Sequence, residues 1–189
     1  MSKLAATKTE AQWKVFSRLS HGELDPPCLS WLLDSSSLTR RLINSCQGQF
    51  AVEVVSEQWL KPMRSEQIAL GLRRANLARV REVRLLCDGI PWVFARTVIP
   101  YSTLQGPVRR LSMLGNKSLG AVMFADPSMR RGELEIASFT KSNLLYQPAT
   151  CGLRNKPAKI WGRRSVFYLS GKPLLVNEIF LPQIGKKKF

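Results

Sequence analysis

The sequence predicts an α+β domain built around an antiparallel sheet, and three observations point there. Two β-rich segments, residues 80–99 and 165–181, each fold back about a dipeptide suited to a two-residue turn, Asp88-Gly89 and Ser170-Gly171. The segments with helical character lie outside these hairpins, the segregation that defines the α+β class. At 189 residues the chain fits one domain, long enough to bury a sizeable core.

In chain order, Thr9 and Gln12 can form a capping box for a first helix carrying Trp13, Phe16 and Leu19. A short helix fits residues 29–33, after which Ser35, Ser36 or Ser37 caps a turn containing Leu38, Leu42 and Ile43. Residues 50–55 are rich in β-formers and read as a strand. Residues 57–77, with Pro62 near their start, read as loop plus helix. In the first hairpin the Asp88-Gly89 turn sets Cys87 opposite Ile90, Leu85 opposite Trp92, Val83 opposite Phe94 and Arg81 opposite Arg96. After Gly106-Pro107 a helix runs through Leu111 and Leu114 and stops at Gly115. Asn116-Lys117-Ser118 then leads into a helical stretch, residues 119–124, and residues 133–137 read as a further strand. Residues 140–160 are polar, contain Pro148 and Pro157, and read as a long loop. In the second strand of the last hairpin Leu174, Val176, Glu178 and Phe180 share one face. Residues 1–8 and 184–189 read as frayed tails of the single domain.

Charge narrows the function classes. With 29 Lys+Arg against 13 Asp+Glu, the net charge of +16 predicts attraction to anions: a small acid, nucleic acid or a lipid surface. The basic residues are scattered through hairpins and helices without a nucleic-acid motif or aromatic platform, so no specific nucleic-acid partner is expected. His21, the only histidine, reads as a surface loop residue, which argues against Ser/His catalysis and histidine-based metal sites. Cys28, Cys46, Cys87 and Cys151 form no C-x-x-C pair and read as reduced thiols. No Gly-rich phosphate loop is present, and no apolar run approaches the roughly 18 residues of a membrane span. A soluble cytoplasmic monomer without metal or cofactor is expected, and any catalysis must use Arg, Lys and Glu.

Two features are candidates for that chemistry. Like charges opposite each other on a sheet are unfavourable, so the Arg81/Arg96 pair either receives a carboxylate ligand, or one of the two points to water or pairs with Glu82 or Glu53. Glu178 sits among apolar neighbours, where desolvation disfavours a lone charge; it is a proton donor or hydroxyl partner for a ligand, or it pairs with a neighbouring arginine. The basic cluster Trp161-Gly162-Arg163-Arg164-Ser165 and Lys172 most simply read as solvated faces.

The runs Arg81-Glu82-Val83, Cys87-Asp88-Gly89-Ile90-Pro91-Trp92, Ala95-Arg96-Thr97-Val98-Ile99-Pro100 and Ser102-Thr103-Leu104, with Gly106-Pro107, resemble the core of the bacterial chorismate pyruvate-lyase family. Leu114-Gly115, Leu119-Gly120, Trp161-Gly162-Arg163-Arg164-Ser165, Ser170-Gly171-Lys172-Pro173-Leu174-Leu175, Glu178 and Phe180-Leu181-Pro182 continue the resemblance in order. It implies a six-stranded antiparallel sheet with helices on one side forming flaps over an enclosed ligand site, and no cofactor. The implied activity is conversion of chorismate to 4-hydroxybenzoate and pyruvate on the route to ubiquinone, with inhibition by bound product. The resemblance further implies that Arg81 holds the ring carboxylate, that Glu178 contacts the 4-hydroxyl, and that Leu38 and Leu119 contact ligand largely through backbone groups. Arg96 or Lys172 is the candidate for the enolpyruvyl carboxylate. Ala95 stands where the family carries glycine, and residues 140–160 are longer than the family pattern.

Overall fold

A computed structural model describes residues 7–18 and 26–185; the predicted surface position of His21 lies outside them. In chain order the elements are strand β1 (Lys14–Val15), a 3-10 turn (Phe16–Arg18), α1 (Pro26–Leu33), α2 (Leu38–Ser45), β2 (Phe50–Leu60), α3 (Arg64–Ala69), β3 (Ala78–Cys87) and β4 (Ile90–Pro100). There follow a 3-10 helix (Gly106–Met113), α4 (Leu119–Phe124), β5 (Arg130–Arg131), β6 (Glu135–Phe139), α5 (Tyr146–Thr150), β7 (Ile160–Leu169), β8 (Lys172–Phe180) and a last 3-10 turn (Pro182–Gly185). The strands form one sheet in the order β1-β6-β7-β8-β4-β3-β2, with β5 also on β7, and every pairing is antiparallel. The α+β class is therefore as predicted. Of the eight strands among the described residues, β1 and β5 are two-residue additions to a six-stranded body.

Both hairpins turn where expected. Asp88 and Gly89 have φ of 49° and 73°, and Ser170 and Gly171 repeat those values, the double positive φ of a type I′ turn. The register of the first hairpin differs from the simple count. Leu86 pairs with Pro91 but Leu85 pairs with Val93, so Trp92 is an extra residue in β4. Pro91 has no N–H to give the ladder, and the bulge falls beside it. A one-residue slip moves each following side chain to the other face. Arg81 consequently faces Thr97, Arg96 faces Glu82, and the two arginines occupy opposite sides of the sheet.

On one face α1 and α2 pack Trp31, Leu32, Leu38 and Leu42 against Val83, Val93, Ala95 and Phe180. Beside them the 3-10 helix and α4 contribute Val108, Leu111, Leu119 and Met123, packed on Phe167, Leu174 and Val176. The reverse face is covered as well. Tyr146 and Ala149 of α5 pack on Phe94 and Ile179, and Leu70 after α3 packs on Val80, Val98 and Leu175.

Several local expectations are corrected. Residues 9–18 form no α-helix, only the 3-10 turn at Phe16–Arg18: Lys14 and Val15 pair with Ile136 and Glu135, and Thr9 bridges to Asn143, so the segment runs as a strap along the sheet. The strand at 50–55 continues to Leu60, through a bulge between Val54 and Ser56. The helix through Leu111 is a 3-10 helix, and the loop at 140–160 contains α5. Pro148 falls in the first turn of α5, where no backbone N–H is needed within the helix. Ile184 is buried in the core rather than frayed. Cys46 and Cys87 are joined as a disulfide, with Cα atoms 5.7 Å apart, whereas Cys151 is free. The partners are 41 residues apart, and folding α2 over the end of the first hairpin brings them together, a long-range event that spacing does not announce. Among the described residues no helix is long and apolar enough to cross a membrane.

Candidate active site

A cavity lies between the sheet and two flap helices. Its floor is the face of β3, β4 and β8 that carries Val83, Ala95, Thr97 and Val176. Its roof is the N-terminal ends of α2 and α4. Each flap starts at a serine, Ser37 or Ser118, whose hydroxyl accepts from a backbone N–H in the first turn, Arg40 or Ala121. The flaps meet where Thr39 Oγ1 and Ser118 Oγ share a hydrogen bond of 2.6 Å. Gly120 permits that approach, since a Cβ there would stand 2.8 Å from Thr39 Oγ1.

Arg81 is 2% exposed and projects from β3 into the cavity wall. Its Nη1 donates to Glu57 Oε2 at 2.8 Å, and its Nη2 to the Gly115 carbonyl at 2.7 Å and the Lys117 carbonyl at 3.4 Å. The guanidinium is thus fixed by one carboxylate on β2 and by the turn that precedes α4. That leaves a rigid, planar cation able to bind a second carboxylate.

Glu178 lines the same cavity from β8, opposite Ala95 on one side and Arg163 on the other. Arg163 Nε donates to its Oε2 at 2.6 Å. Glu178 is accordingly one half of an ion pair and not a lone carboxylate in an apolar setting. Arg163 is itself fully buried and donates from Nη1 to the carbonyls of Trp31 at 2.9 Å and Leu32 at 3.4 Å and to that of Asp34, where α1 ends. Behind this pair, Arg131 donates to Ser165 Oγ and the Ser35 carbonyl. Desolvation and the Arg163 charge hold its guanidinium below the usual arginine range, against the opposing pull of Glu178 and Asp34. Asp34 is pushed up by desolvation, but hydrogen bonds from Ser36 and Arg41 outweigh this and keep it below the usual carboxylate range.

Four of the predicted positions, Leu38, Arg81, Leu119 and Glu178, meet in this one cavity. Arg96 and Lys172 do not. On the reverse face Arg96 is bound by Glu66 at 2.8 and 3.1 Å and by Glu82 at 2.8 Å, while Asn177 donates to Glu66 at 3.2 Å. The arginine pair is relieved by carboxylates and by the bulge, with no ligand needed between its members. Lys172 lies six residues before Glu178 on β8, about 20 Å away at strand rise.

The cluster 161–165 is not a solvated face. It lies within β7, with Arg163 and Arg164 both buried and paired, the latter to Glu135. Counting back from the Ser170-Gly171 turn pairs Arg163 with Glu178, so this partnership had a signal in the sequence. Glu57, Thr39, Lys117 and Ser118 had none, because their roles depend on how separate segments pack.

An α+β domain that encloses a small cavity between a sheet and two flaps, with an arginine and a glutamate in its walls, has the form of a small-molecule domain. Comparison with known proteins specifies it: the chorismate lyase family profile matches residues 8–189, and the chain belongs to that family. A protein of Psychromonas ingrahamii named "probable chorismate pyruvate-lyase" is 42% identical over 164 residues, 83% of either chain. One of Aromatoleum aromaticum with the same name is 41% identical over 156 residues, 82% of this chain and 84% of the relative. Among solved structures, the effector domain of PhnF from Mycobacterium smegmatis superposes with a TM-score of 0.58 at 15% identity, covering 80% of this chain and 91% of that one. A GntR-family transcriptional regulator from Bacillus cereus gives 0.53 at 12% identity, covering 75% and 96%. These likenesses concern the fold.

Proposed function

We propose that this chain is a carbon–oxygen lyase that splits chorismate into 4-hydroxybenzoate and pyruvate, a cytoplasmic first step toward ubiquinone. The observation that carries the reading is one cavity with the Arg81 guanidinium and the Glu178 carboxylate both in its walls, in a chain of this family.

In this reading Arg81 binds the ring carboxylate through the part of its guanidinium not engaged by Glu57 and the turn. Glu178, oriented by Arg163, accepts from the 4-hydroxyl. Backbone groups at Leu38 and Leu119, the first residues of the two flaps, close over the ring. The ether bond between the ring and the enolpyruvyl oxygen breaks, and the proton on the adjacent ring carbon, the one bearing the hydroxyl, is lost. The ring becomes aromatic, and the departing pyruvate enolate takes up one proton at its methylene carbon to become pyruvate. Aromatisation supplies the driving force, so the protein's task is to bind, orient and screen developing charge.

Incubating the protein with chorismate and following pyruvate and 4-hydroxybenzoate tests the reading. Equal release of both is expected; absence of pyruvate, or 3-hydroxybenzoate as the aromatic product, overturns it. The likeness to a regulator's effector domain favours a second reading, ligand sensing without turnover, which predicts binding of the same acids and no pyruvate.

A further inference from the structure

The proposed substrate carries two carboxylates, whereas its aromatic product carries one. Some group in the cavity must therefore meet a carboxylate that the product lacks. Arg81 is a single guanidinium with two of its nitrogens already engaged, and Arg96 and Lys172 lie outside the cavity. Among the described residues that line it, Lys117 is the other cation.

Its position suits the task. Lys117 is exposed and lines the cavity, so it stands where the cavity meets solvent. Gly115, with φ of 52°, bends the chain ahead of it, and its own N–H donates to the Leu114 carbonyl at 2.9 Å. The Lys117 carbonyl accepts from Arg81. The backbone of Lys117 is thereby anchored at the guanidinium, while its ammonium, on a flexible four-carbon stem, has no carboxylate partner among the described residues. Residues 97–125 contain no Asp or Glu at all, so nothing on this flap segment competes for the charge.

We propose that Lys117 forms the subsite for the enolpyruvyl carboxylate, selecting the dianionic substrate over the monoanionic product and holding the three-carbon acid at the mouth as it departs. The proposal rests on the lyase reading above for the identity of the dianion. Because the side chain is exposed, its replacement does not threaten the fold.

The test compares Lys117→Met and Lys117→Arg with the unaltered protein. Chorismate kinetics are measured alongside calorimetric binding of two acids, 4-hydroxybenzoate and 3-(1-carboxyvinyloxy)benzoate, the second bearing the same enolpyruvyl side chain on an already aromatic ring. Lys117→Met is expected to raise KM for chorismate and Kd for the dicarboxylate about tenfold, the scale of one charge-assisted hydrogen bond. It should leave 4-hydroxybenzoate within about twofold, the product having no carboxylate for Lys117 to meet, and Lys117→Arg should recover most of the loss. Unchanged dicarboxylate binding, or equal weakening of both acids, overturns the subsite. Absence of pyruvate from the unaltered protein refutes the lyase reading instead, and the dicarboxylate binding of Lys117→Met then decides the subsite by itself.

Discussion

Arg163 and Glu178 meet across the last hairpin at 2.6 Å, and the same guanidinium closes the carbonyl end of α1, so one buried side chain both aims the cavity's carboxylate and secures the helix before the first flap. The pair is a finding about stability as much as about the site, because a buried charge with its partner removed is costly.

That division of roles is separable by mutation. Arg163→Met strands Glu178 and several carbonyls and is expected to cost about 3 kcal/mol of stability, the lower end for breaking a buried pair. Glu178→Gln keeps an acceptor for Arg163 and should lose far less stability, yet lower kcat/KM about a hundredfold if Glu178 engages the reacting hydroxyl. Urea unfolding and steady-state kinetics on both variants check this; equal stability losses would show that the pair does not work as described.

Arg81 joins β2, β3 and the flap turn through Glu57, Gly115 and Lys117. Arg81→Ala is therefore expected to reduce kcat/KM by at least about a hundredfold, as for truncating one side of a buried charged contact. Glu57→Gln preserves a hydrogen bond but not the charge. It should reduce kcat/KM by about tenfold or less, because it loosens the guanidinium without removing it. Chorismate turnover measured for both variants ranks them, and an inert Arg81→Ala would remove Arg81 from the site.

Most of the sheet could be read before the structure because both hairpins are set by their own turns, and a local turn propagates register along two strands. The reading failed where one residue breaks the count: the bulge at Trp92 depends on Pro91 and on packing, and it sends Arg96 to the reverse face. The N-terminal strap carries a helix-like pattern but pairs with β6, over a hundred residues away, and tertiary pairing overrides such weak local preference. In the site, Arg81, Glu178, Leu38 and Leu119 were legible through family motifs and alternation. The flap contact and the disulfide join segments remote in sequence, which no local pattern reports.

The Cys46–Cys87 bond joins the residue that ends α2 to the last residue of β3, closing a loop with a sequence separation of 41. By restricting the unfolded chain it is expected to contribute about 3–4 kcal/mol. Thermal unfolding with and without dithiothreitol, on the parent and on Cys87→Ala, measures it. The parent should lose several degrees of Tm on reduction and the variant none; an indifferent parent would mean that the bond is not formed or not stabilising.

Thr39 and Ser118 hold the two flaps together over the cavity at 2.6 Å, and both lie in the first turn or at the cap of their helices, so opening the cavity breaks this bond first. If opening limits turnover, a product burst precedes the steady state, and weakening the latch speeds the slow phase. Thr39→Val removes the hydroxyl while keeping side-chain volume, and Ser118 Oγ retains the Ala121 N–H as a partner. Loss of one hydrogen bond of about 1 kcal/mol should raise the product release rate roughly fivefold and weaken 4-hydroxybenzoate binding by a similar factor, with the burst amplitude falling. Stopped-flow measurement of the burst in parent and variant is the check. A parent with no burst would mean that the step limiting turnover lies in the chemistry beneath the flaps, and a variant with slower release would mean that the Thr39–Ser118 bond does not hold the flaps shut.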